Sequence, residues 1–388
     1  MYKILTLNNI SPKGLDRLPR DRYEVASEIQ HPDAILLRSF KMHDMEIPAG
    51  LKAVGRAGAG VNNIPIDKMS KAGIVVFNTP GANANAVKEL VVAGMLLACR
   101  NICQAWQYTN ELKEGSNEAL NKQVEAGKKK YAGFELPGRT LGVIGLGAIG
   151  VLVANVARSL GMRVIGYDPA ITVQSAWKLS SDIEHATSID DLLAKSDFVT
   201  FHVPLLDSTR NLLNAERLSR MKDGVVVMNF ARDGIVDDRA VLQALETKKV
   251  HAYVTDFPTL ELQNKPGVIT LPHLGASTEE AEENCAMMVA DQVRDYLENG
   301  NIRNSVNFPT VSLPRSGEQR VAVVNENRPD MVSQISHVLG GLGVNIIHMV
   351  NESRGDIAYT LIDTDSILDP SVADKLKAVK GVLAVRLI

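Results

Sequence analysis

A glycine-rich hexapeptide, GLGAIG at residues 145–150, limits the possible folds of this chain more than any other segment. It follows an apolar run, Leu141–Ile144, with the composition of a buried strand, and it opens a helical pattern that extends to Leu160. Glycines at this spacing give a tight turn and let the backbone approach a pyrophosphate at the N-terminus of a helix. The motif alone is weak evidence, but a strand before it and a helix after it predict a dinucleotide-binding βαβ unit.

A carboxylate, Asp168, stands at the end of the next predicted strand, 18 residues after Gly150. A carboxylate at that place accepts hydrogen bonds from ribose hydroxyls and repels a 2′-phosphate. The residues that follow, Pro169-Ala170-Ile171, supply no cation for such a phosphate. The sequence therefore predicts NAD rather than NADP as the cofactor.

Short β-rich runs alternate with helical patterns for about 300 residues, which is typical of parallel sheets with crossover helices. Residues 100–138 differ, because they are polar and weakly patterned, and we interpret them as a surface excursion or a subunit contact. The pattern predicts two doubly wound α/β domains of the Rossmann or flavodoxin type. The predicted strands are Lys3–Leu7, Ala34–Arg38, Lys52–Gly55 and Ile74–Phe77 in the first domain, and Leu141–Ile144, Arg163–Tyr167, Phe198–His202, Val225–Asn229, His251–Thr255 and Val268–Leu271 in the second.

The last 70 residues have a βαββαβ pattern, which predicts a ferredoxin-like sandwich. Residues 299–318 before it are rich in Asn, Pro, Ser and Gly, a linker composition. A long amphipathic helix, Glu279–Glu298, would return the chain to the first domain. We predict a substrate-binding domain at 1–95 plus 285–310, an NAD-binding domain at 96–284, a linker at 311–318 and a C-terminal domain at 319–388.

Composition excludes several classes of function. The net charge is −3 and no basic stripe is present, which argues against nucleic-acid binding. The longest uncharged apolar run, Leu90–Cys99, is too short to span a bilayer. Three cysteines without a Cys-x-x-Cys motif favour a reducing, cytoplasmic compartment, and the scattered histidines predict no metal site.

Polar side chains follow the predicted strands of both domains, at the sheet edge where open α/β sheets bind ligands. His273 suits a general base, because imidazole exchanges protons near neutral pH. Arg232 suits an anchor for a carboxylate, and Glu261 would pair its charge with His273. Each residue taken alone also has a structural explanation: a loop cap for Arg232, a turn residue for His273 and a solvated surface position for Glu261.

The chain resembles the D-2-hydroxyacid dehydrogenases along nearly its whole length. Within that family it is most similar to the members that oxidise 3-phospho-D-glycerate, which implies an NAD-dependent oxidoreductase of serine biosynthesis. The segments that carry the resemblance are Gly55–Asn63, Asn78–Asn83, Gly145–Gly150, His202–Leu205, Met221–Asp237 and Leu271–Glu280.

The resemblance implies roles for individual residues. Arg232 would anchor the substrate carboxylate, His273 would be the acid/base, and Asp256 would lie near the nicotinamide amide. The implied cofactor-binding residues are Gly145, Gly147, Ala148, Ile149, Gly150, Asp168, His202, Val203, Pro204, Ala231, Asp256, Gly275 and Ala276. The implied substrate-binding residues are Arg38, Ser39, Lys41, Arg56, Gly58, Ala59 and Asn83.

The chain departs from the family pattern near the catalytic residues. Asp233 separates Arg232 from Gly234, where the family has Arg-Gly. The family's Glu-Pro, which carries the partner of the histidine, is absent. Counting from Arg232 without gaps places Glu261 at the glutamate position, followed by Leu262. We therefore predict Glu261 as the partner of His273.

The C-terminal segment resembles an ACT domain, a regulatory fold that binds amino acids between paired copies. This resemblance implies L-serine as an effector held by Asn325, Asn327 and Asn345, and a homodimer or homotetramer. The alternative for this domain is that it only pairs subunits. Two alternatives for the whole chain are a dehydrogenase of another D-2-hydroxy acid, such as 2-hydroxyglutarate, and an NAD-sensing binding protein without catalysis.

Overall fold

The computed structural model describes every residue from 1 to 388 and divides into two compact units. The first unit joins residues 1–82 to residues 279–388, and the second comprises residues 83–278. None of the helices combines the length and the apolar character needed to cross a membrane.

Residues 1–82 form a five-stranded parallel sheet with the order β2-β1-β3-β4-β5, the order of flavodoxin-like folds. All four predicted strands are present, and the edge strand β2 is an addition that the sequence did not indicate. The elements are β1 (Tyr2–Leu7), α1 (Pro12–Leu15), β2 (Tyr23–Ala26), β3 (Ala34–Leu37), β4 (Ala53–Arg56), α2 (Ile66–Lys71) and β5 (Val75–Phe77).

The second unit contains a seven-stranded parallel sheet with the order β12-β11-β10-β9-β6-β7-β8. From β6 the chain adds β7 and β8 on one side of the sheet and then crosses to add β9 to β12 on the other. Ligands bind next to such a reversal of strand order, here between β6 and β9, in open α/β sheets. The strands are β6 (Thr140–Ile144), β7 (Arg163–Tyr167), β8 (Glu184–His185), β9 (Phe198–Phe201), β10 (Val225–Asn229), β11 (Val250–Thr255) and β12 (Val268–Thr270). The helices are α3 (Ala84–Cys99), α4 (Ile102–Glu111), α5 (Asn117–Gly127), α6 (Ala148–Ser159), α7 (Val173–Lys178), α8 (Ile189–Lys195), α9 (Ala215–Arg220) and α10 (Asp238–Glu246).

Residues 100–138, in which the sequence indicated no element, contain α4, α5 and a 3₁₀ turn at Lys128–Tyr131. Helix α4 has no buried residue, and its Trp106 is largely exposed. A helix without a buried face lacks the apolar periodicity from which helices are recognised. The prediction missed both helices for that reason.

The C-terminal residues of the first unit begin with a long helix and end in a four-stranded antiparallel sheet of order β14-β15-β13-β16. This is the predicted ferredoxin-like arrangement. The elements are α11 (Glu279–Asn299), β13 (Gln319–Glu326), α12 (Met331–Gly341), β14 (Ile346–Arg354), β15 (Ile357–Thr364), α13 (Ser371–Lys377) and β16 (Val382–Leu387).

The antiparallel sheet is covered on both faces. One face packs against α12 and α13 through residues such as Ile335 and Leu376. The other face, which includes Tyr359 and Leu361, belongs to the same apolar core as α11 and the five-stranded sheet. Phe308, from the segment with linker composition, is buried in that core.

An ion pair between Arg320 and Asp363 lies inside this core. The Arg320 guanidinium donates to both Asp363 carboxylate oxygens, at 2.6 and 2.8 Å, and to the carbonyl oxygens of Asn299, Leu313 and Pro314. Every N–H of the guanidinium therefore has an acceptor, which is the condition under which a charge tolerates burial. The pair ties β13 and β15 to the end of α11 and to the segment that follows it.

Candidate active site

The glycine turn closes tightly between β6 and α6. Gly145 has a φ of +93°, and a Cβ there would lie 2.5 Å from the carbonyl oxygen of His202. A Cβ on Gly150 would overlap the carbonyl oxygen of Gly145, whereas a Cβ on Gly147 would meet no atom within 4 Å. Helix α6 begins at Ala148 without a side-chain cap, so no side chain at the N-cap accepts from its first N–H groups. This arrangement fits the pyrophosphate of a dinucleotide.

Asp168 lies directly after β7, and its carboxylate is fixed by the backbone. Its Oδ2 accepts the N–H of Leu146 at 2.8 Å and its Oδ1 accepts the N–H of Ala170 at 2.9 Å. A carboxylate oxygen has two acceptor positions, so both oxygens remain able to accept a ribose hydroxyl. The turn and Asp168 are thus held together as one binding surface for NAD.

His202 follows β9 at the reversal of the strand order, and its N–H donates to the carbonyl of Ile144 at 2.7 Å. The ring Nε2 lies 3.0 Å from Thr200 Oγ1, and the ring Nδ1 is buried without a partner. Burial lowers the pKa of His202 to about 3, so the ring is neutral at physiological pH. Val203 and Pro204 continue this loop.

Arg232 lies in the loop after β10, and the buried Asn229 braces that loop from below. Asn229 Oδ1 accepts the N–H of Ala231 at 3.2 Å, and its Nδ2 donates to the carbonyl of Arg232 at 2.9 Å. The Arg232 guanidinium is exposed and donates only to the carbonyl of Ala231, at 2.6 Å. Asn229 is a positioning residue that the sequence reasoning missed, although Asn is typical of such local side-chain-to-backbone turns.

His273 and Asp256 lie in the loops after β12 and β11, and they contact each other through the backbone. The N–H of His273 donates to the carbonyl of Asp256 at 3.0 Å, and the N–H of Gly275 donates to Asp256 Oδ2 at 3.2 Å. His273 has a φ of +49°, and its ring packs edge-on against Phe257 with centroids 5.0 Å apart. Ala276 follows in the same loop.

The predicted pairing of Glu261 with His273 is absent, and this corrects our sequence assignment. Glu261 forms an ion pair with Arg239 of α10, at 3.2 Å, and about half of its side chain is exposed. The next residue, Leu262, is buried in the core of the unit and turns Glu261 outward. The acidic residue in contact with His273 is Asp256, whose carbonyl accepts the N–H of the histidine.

Six of the seven predicted substrate residues lie at the ends of β3 and β4 or in the loops that follow them. Arg38 forms an ion pair with Glu282 of α11, at 2.6 Å, and Arg56 donates from Nε to the carbonyl of Arg38. The N–H of Ser39 donates to Asn8 Oδ1. The remaining predicted positions are Lys41, which is exposed, Gly58 beneath the Arg56 side chain, Ala59, whose carbonyl accepts from Asn78, and Asn83, the first residue of the second unit.

The predicted effector residues do not share one site within a single chain. Asn325 and Asn327 lie at the end of β13, where Asn325 Oδ1 is buried without a partner and Asn327 donates to Gly355. The carbonyl of Asn345 accepts from Asp365, beside the opposite end of β13, where Gln319 pairs with Thr364. Six strand residues separate the two ends, a distance of about 20 Å.

Comparison with known proteins settles the family. Residues 92–275 match the family described as D-isomer specific 2-hydroxyacid dehydrogenase, NAD binding domain. A protein of Escherichia coli named D-3-phosphoglycerate dehydrogenase is 34% identical over 355 residues, covering 87% of this chain and 82% of the relative. The chain belongs to the D-isomer-specific 2-hydroxyacid dehydrogenase family.

Other members of this dehydrogenase family are longer. Relatives named D-3-phosphoglycerate dehydrogenase from Methanocaldococcus jannaschii and Archaeoglobus fulgidus are 37% and 36% identical and cover 76% and 80% of this chain. The chain spans only 55% and 60% of those two relatives.

Two solved dehydrogenase structures resemble this one at 26% identity. They are the NAD⁺-bound 3-phosphoglycerate dehydrogenase of Entamoeba histolytica, with a TM-score of 0.60, and a glyoxylate reductase from Paecilomyes thermophila, with a TM-score of 0.62. Each match covers 79% of this chain and 98% of the other. Residues 92–275 are accordingly the NAD-binding domain of a 2-hydroxyacid dehydrogenase.

Proposed function

We propose that this chain oxidises 3-phospho-D-glycerate to 3-phosphohydroxypyruvate with NAD, the first step of L-serine biosynthesis. One observation carries the proposal: the loops after the adjacent strands β10, β11 and β12 present Arg232, Asp256 and His273 at the edge of the sheet that also bears the glycine turn. An anchor for a carboxylate and a proton acceptor are what the oxidation of a 2-hydroxy acid requires beside a nicotinamide. The similarity to relatives named D-3-phosphoglycerate dehydrogenase supports the choice of substrate.

The roles of the residues follow from their chemistry. NAD supplies the acceptor for the hydride that leaves C2 of the substrate. His273 takes the proton of the C2 hydroxyl as the C2–O bond becomes a carbonyl. Arg232 binds the carboxylate through its planar guanidinium, and Asn229 holds the loop that aims it.

The phosphate group of the substrate is assigned to the cations of the first unit. Arg38 and Arg56 lie next to each other at the ends of β3 and β4, linked through the carbonyl of Arg38. Guanidinium groups bind phosphate oxygens in pairs, and the exposed Lys41 adds charge nearby. We expect these cations to favour a substrate that carries a phosphate group over one that has no charged group at that end.

The test of the reaction is NADH formation with 3-phospho-D-glycerate, D-2-hydroxyglutarate and D-lactate, for the wild type, Arg232→Ala and the control Arg239→Ala. Arg239 lies in the same unit, 81% of its side chain is exposed, and it forms an ion pair with Glu261. We expect the phosphorylated substrate to give the highest kcat/KM. Arg232→Ala should lower it about a hundredfold, or ~3 kcal/mol, and Arg239→Ala should not.

The same assay decides between the alternatives. A preference for D-2-hydroxyglutarate or D-lactate would replace the substrate and keep the chemistry. Such a result would agree with the similarity to a structure named glyoxylate reductase. Tight NADH binding without turnover of any hydroxy acid would indicate an NAD-sensing protein and overturn the proposal.

We also propose that L-serine inhibits the enzyme between two copies of the C-terminal domain, in a homodimer or homotetramer. Asn327 and Asn345 lie at opposite ends of β13, so a small amino acid contacts both only when they come from different copies. Asn327→Ala and Asn345→Ala should each abolish inhibition. Mixed and reassembled subunits of the two variants should regain part of it, because one interface site of each mixed dimer is then intact. If wild-type activity is unchanged by serine, the domain serves assembly only.

A further inference from the structure

The loop that carries His273 is anchored on one residue, Asp256. The carbonyl of Asp256 accepts the N–H of His273, and its carboxylate accepts the N–H of Gly275 two residues later. His273 is held between these two hydrogen bonds in a left-handed conformation, with a φ of +49°. That conformation disfavours residues with a Cβ and persists where the surroundings enforce it. Two hydrogen bonds to Asp256 support this conformation, together with a bond from the same His273 N–H to the carbonyl of Leu271 at 3.1 Å.

The Asp256 carboxylate can also accept more hydrogen bonds than it does. The residue is 1% exposed, and its Oδ1 is buried without a hydrogen-bond partner. A buried carboxylate oxygen without a partner is costly, and such atoms in folded proteins call for a functional explanation. Two charged groups act on this carboxylate, His273 and Arg232.

The carboxylate that the family pattern would supply to the histidine is engaged elsewhere. Glu261 is bound by Arg239 and faces solvent, and no Glu-Pro sequence occurs in the loop from Asp256 to His273. A carboxylate beside a catalytic imidazole orients the ring and stabilises the imidazolium that forms during proton transfer. Asp256 is the acidic residue that the structure places next to His273.

We propose that Asp256 is the positioning residue of His273 in this chain, taking the place of the absent glutamate. It fixes the backbone of the histidine through its carbonyl and through the bond to Gly275. In its ionised form it also stabilises the protonated imidazole. This inference deepens the proposed dehydrogenase function and rests on it.

The charge effect is supported by the electrostatics of Asp256 itself. Burial raises the pKa of Asp256, and attraction to His273 is the largest of the effects that oppose this rise. An ionised Asp256 thus attracts the imidazolium that forms on His273 during proton transfer. Hydroxy-acid oxidation needs the unprotonated ring. The acidic limb of the pH profile of kcat/KM therefore depends on Asp256.

The test compares Asp256→Asn, Asp256→Ala and Glu261→Gln, with Asp223→Asn as a matched control on the exposed surface of the same unit. Asparagine retains an oxygen for the N–H of Gly275 and removes the charge, whereas alanine removes both. For Asp256→Asn we expect the acidic limb of kcat/KM to move to lower pH and kcat to fall. NADH affinity should stay within about twofold, since the loop remains in place. Asp256→Ala should lower kcat further, and the limb should not move in Glu261→Gln or Asp223→Asn.

A second readout does not depend on turnover. The ring resonances of His273, assigned by comparison with His273→Asn, are followed by NMR over pH in the wild type and each variant. The pH dependence should move in Asp256→Asn and not in Glu261→Gln. The opposite pattern would overturn the inference. A higher KM for NAD with an unchanged pH profile would also overturn it, because Asp256 would then contact the nicotinamide and have no effect on His273. If the wild type turns over no hydroxy acid, the NMR result still decides the role of Asp256, and only the proposed reaction fails.

Discussion

Arg320 and Asp363 form an ion pair in which both side chains are 0% exposed, and five hydrogen bonds from the guanidinium join three separate segments of the first unit. Asp363 Oδ2 also accepts the N–H and the hydroxyl of Ser316. Burial alone would raise the pKa of Asp363, but the hydrogen bonds and charge of Arg320 prevail and lower it. The pair therefore requires both partners.

Removing one partner should be strongly destabilising. Asp363→Ala leaves the Arg320 charge buried, and we expect the free energy of unfolding in urea to fall by about 3–5 kcal/mol. The double variant Arg320→Met/Asp363→Leu removes both charges and should lose less. Asp291→Ala breaks the half-exposed pair with Arg17 and should cost less than about 1 kcal/mol. Equal losses in Asp363→Ala and Asp291→Ala would mean that the buried pair contributes no more to stability than the exposed pair.

We expect His202 to make the second unit sensitive to mild acid. Its folded-state pKa is about 3, because the ring is buried, whereas an unfolded histidine has a pKa near 6.5. Below pH 6.5 the unfolded chain binds the proton and the folded chain does not, so stability falls as the pH drops towards 3. Between pH 7 and 4.5 this residue should account for a loss of about 2–3 kcal/mol.

The check is urea unfolding of the wild type, His202→Gln and His185→Gln at both pH values. His202→Gln should remove that part of the pH dependence. His185 is exposed on β8, so its replacement should leave the pH dependence unchanged. If the free energy of unfolding changed equally with pH in the wild type and in His202→Gln, the result would contradict a neutral, buried His202 ring.

Two alanine substitutions separate the shape of the glycine turn from its contact with NAD. Gly150→Ala forces a Cβ into the carbonyl of Gly145 and should lower Tm by several degrees, consistent with an overpacking cost of about 1–3 kcal/mol. Gly147→Ala meets no protein atom, so the fold should tolerate it. NADH affinity, measured by fluorescence titration, should nevertheless fall about tenfold or more, because the added methyl occupies the approach to the helix N-terminus. Unchanged NADH affinity in Gly147→Ala would place the pyrophosphate elsewhere.

Glu282 pairs with Arg38, one of the cations that we propose bind the substrate phosphate. The two side chains form an ion pair at 2.6 Å and are both partly exposed. Glu282→Gln removes the competing charge, so we expect the KM for 3-phospho-D-glycerate to fall a few-fold, with kcat nearly unchanged. Glu283→Gln, which releases Lys13 one position along α11, is the matched control. A higher KM in Glu282→Gln would show instead that Glu282 holds Arg38 in its binding position.

The fold was largely predictable because buried parallel strands have a strong signature. Arg163–Tyr167 and Val225–Asn229 were predicted with their observed bounds, since each is a continuous run with few polar residues that ends at a turn. Strand β2 has four residues at a sheet edge and β8 has two, which is too short for a recognisable pattern. Helices α4 and α5 were missed because neither has an apolar face of ordinary width.

The sequence predicts only those candidate site residues whose place is set by the end of a strand. Arg232, Asp256 and His273 follow three strands, and the topology alone brings strand ends to one edge. The partner of His273 depends instead on where a short loop turns. Burial of Leu262 directs Glu261 towards Arg239, and counting residues cannot reveal that. The bracing of Arg232 by Asn229 is local and was visible in principle as an Asn at a turn.

The shared core of the first unit has a consequence for synthesis on the ribosome. Residues 83–278 complete their own unit as they emerge, but β1–β5 emerge earlier and remain without α11 and the antiparallel sheet. The Tyr359 hydroxyl, which donates to the carbonyl of Gly300, and the Arg320 ion pair can form only after more than two hundred further residues have been translated. Strands β1–β5 therefore wait longer than residues 83–278 for their packing partners, and their apolar sheet face stays uncovered during that interval.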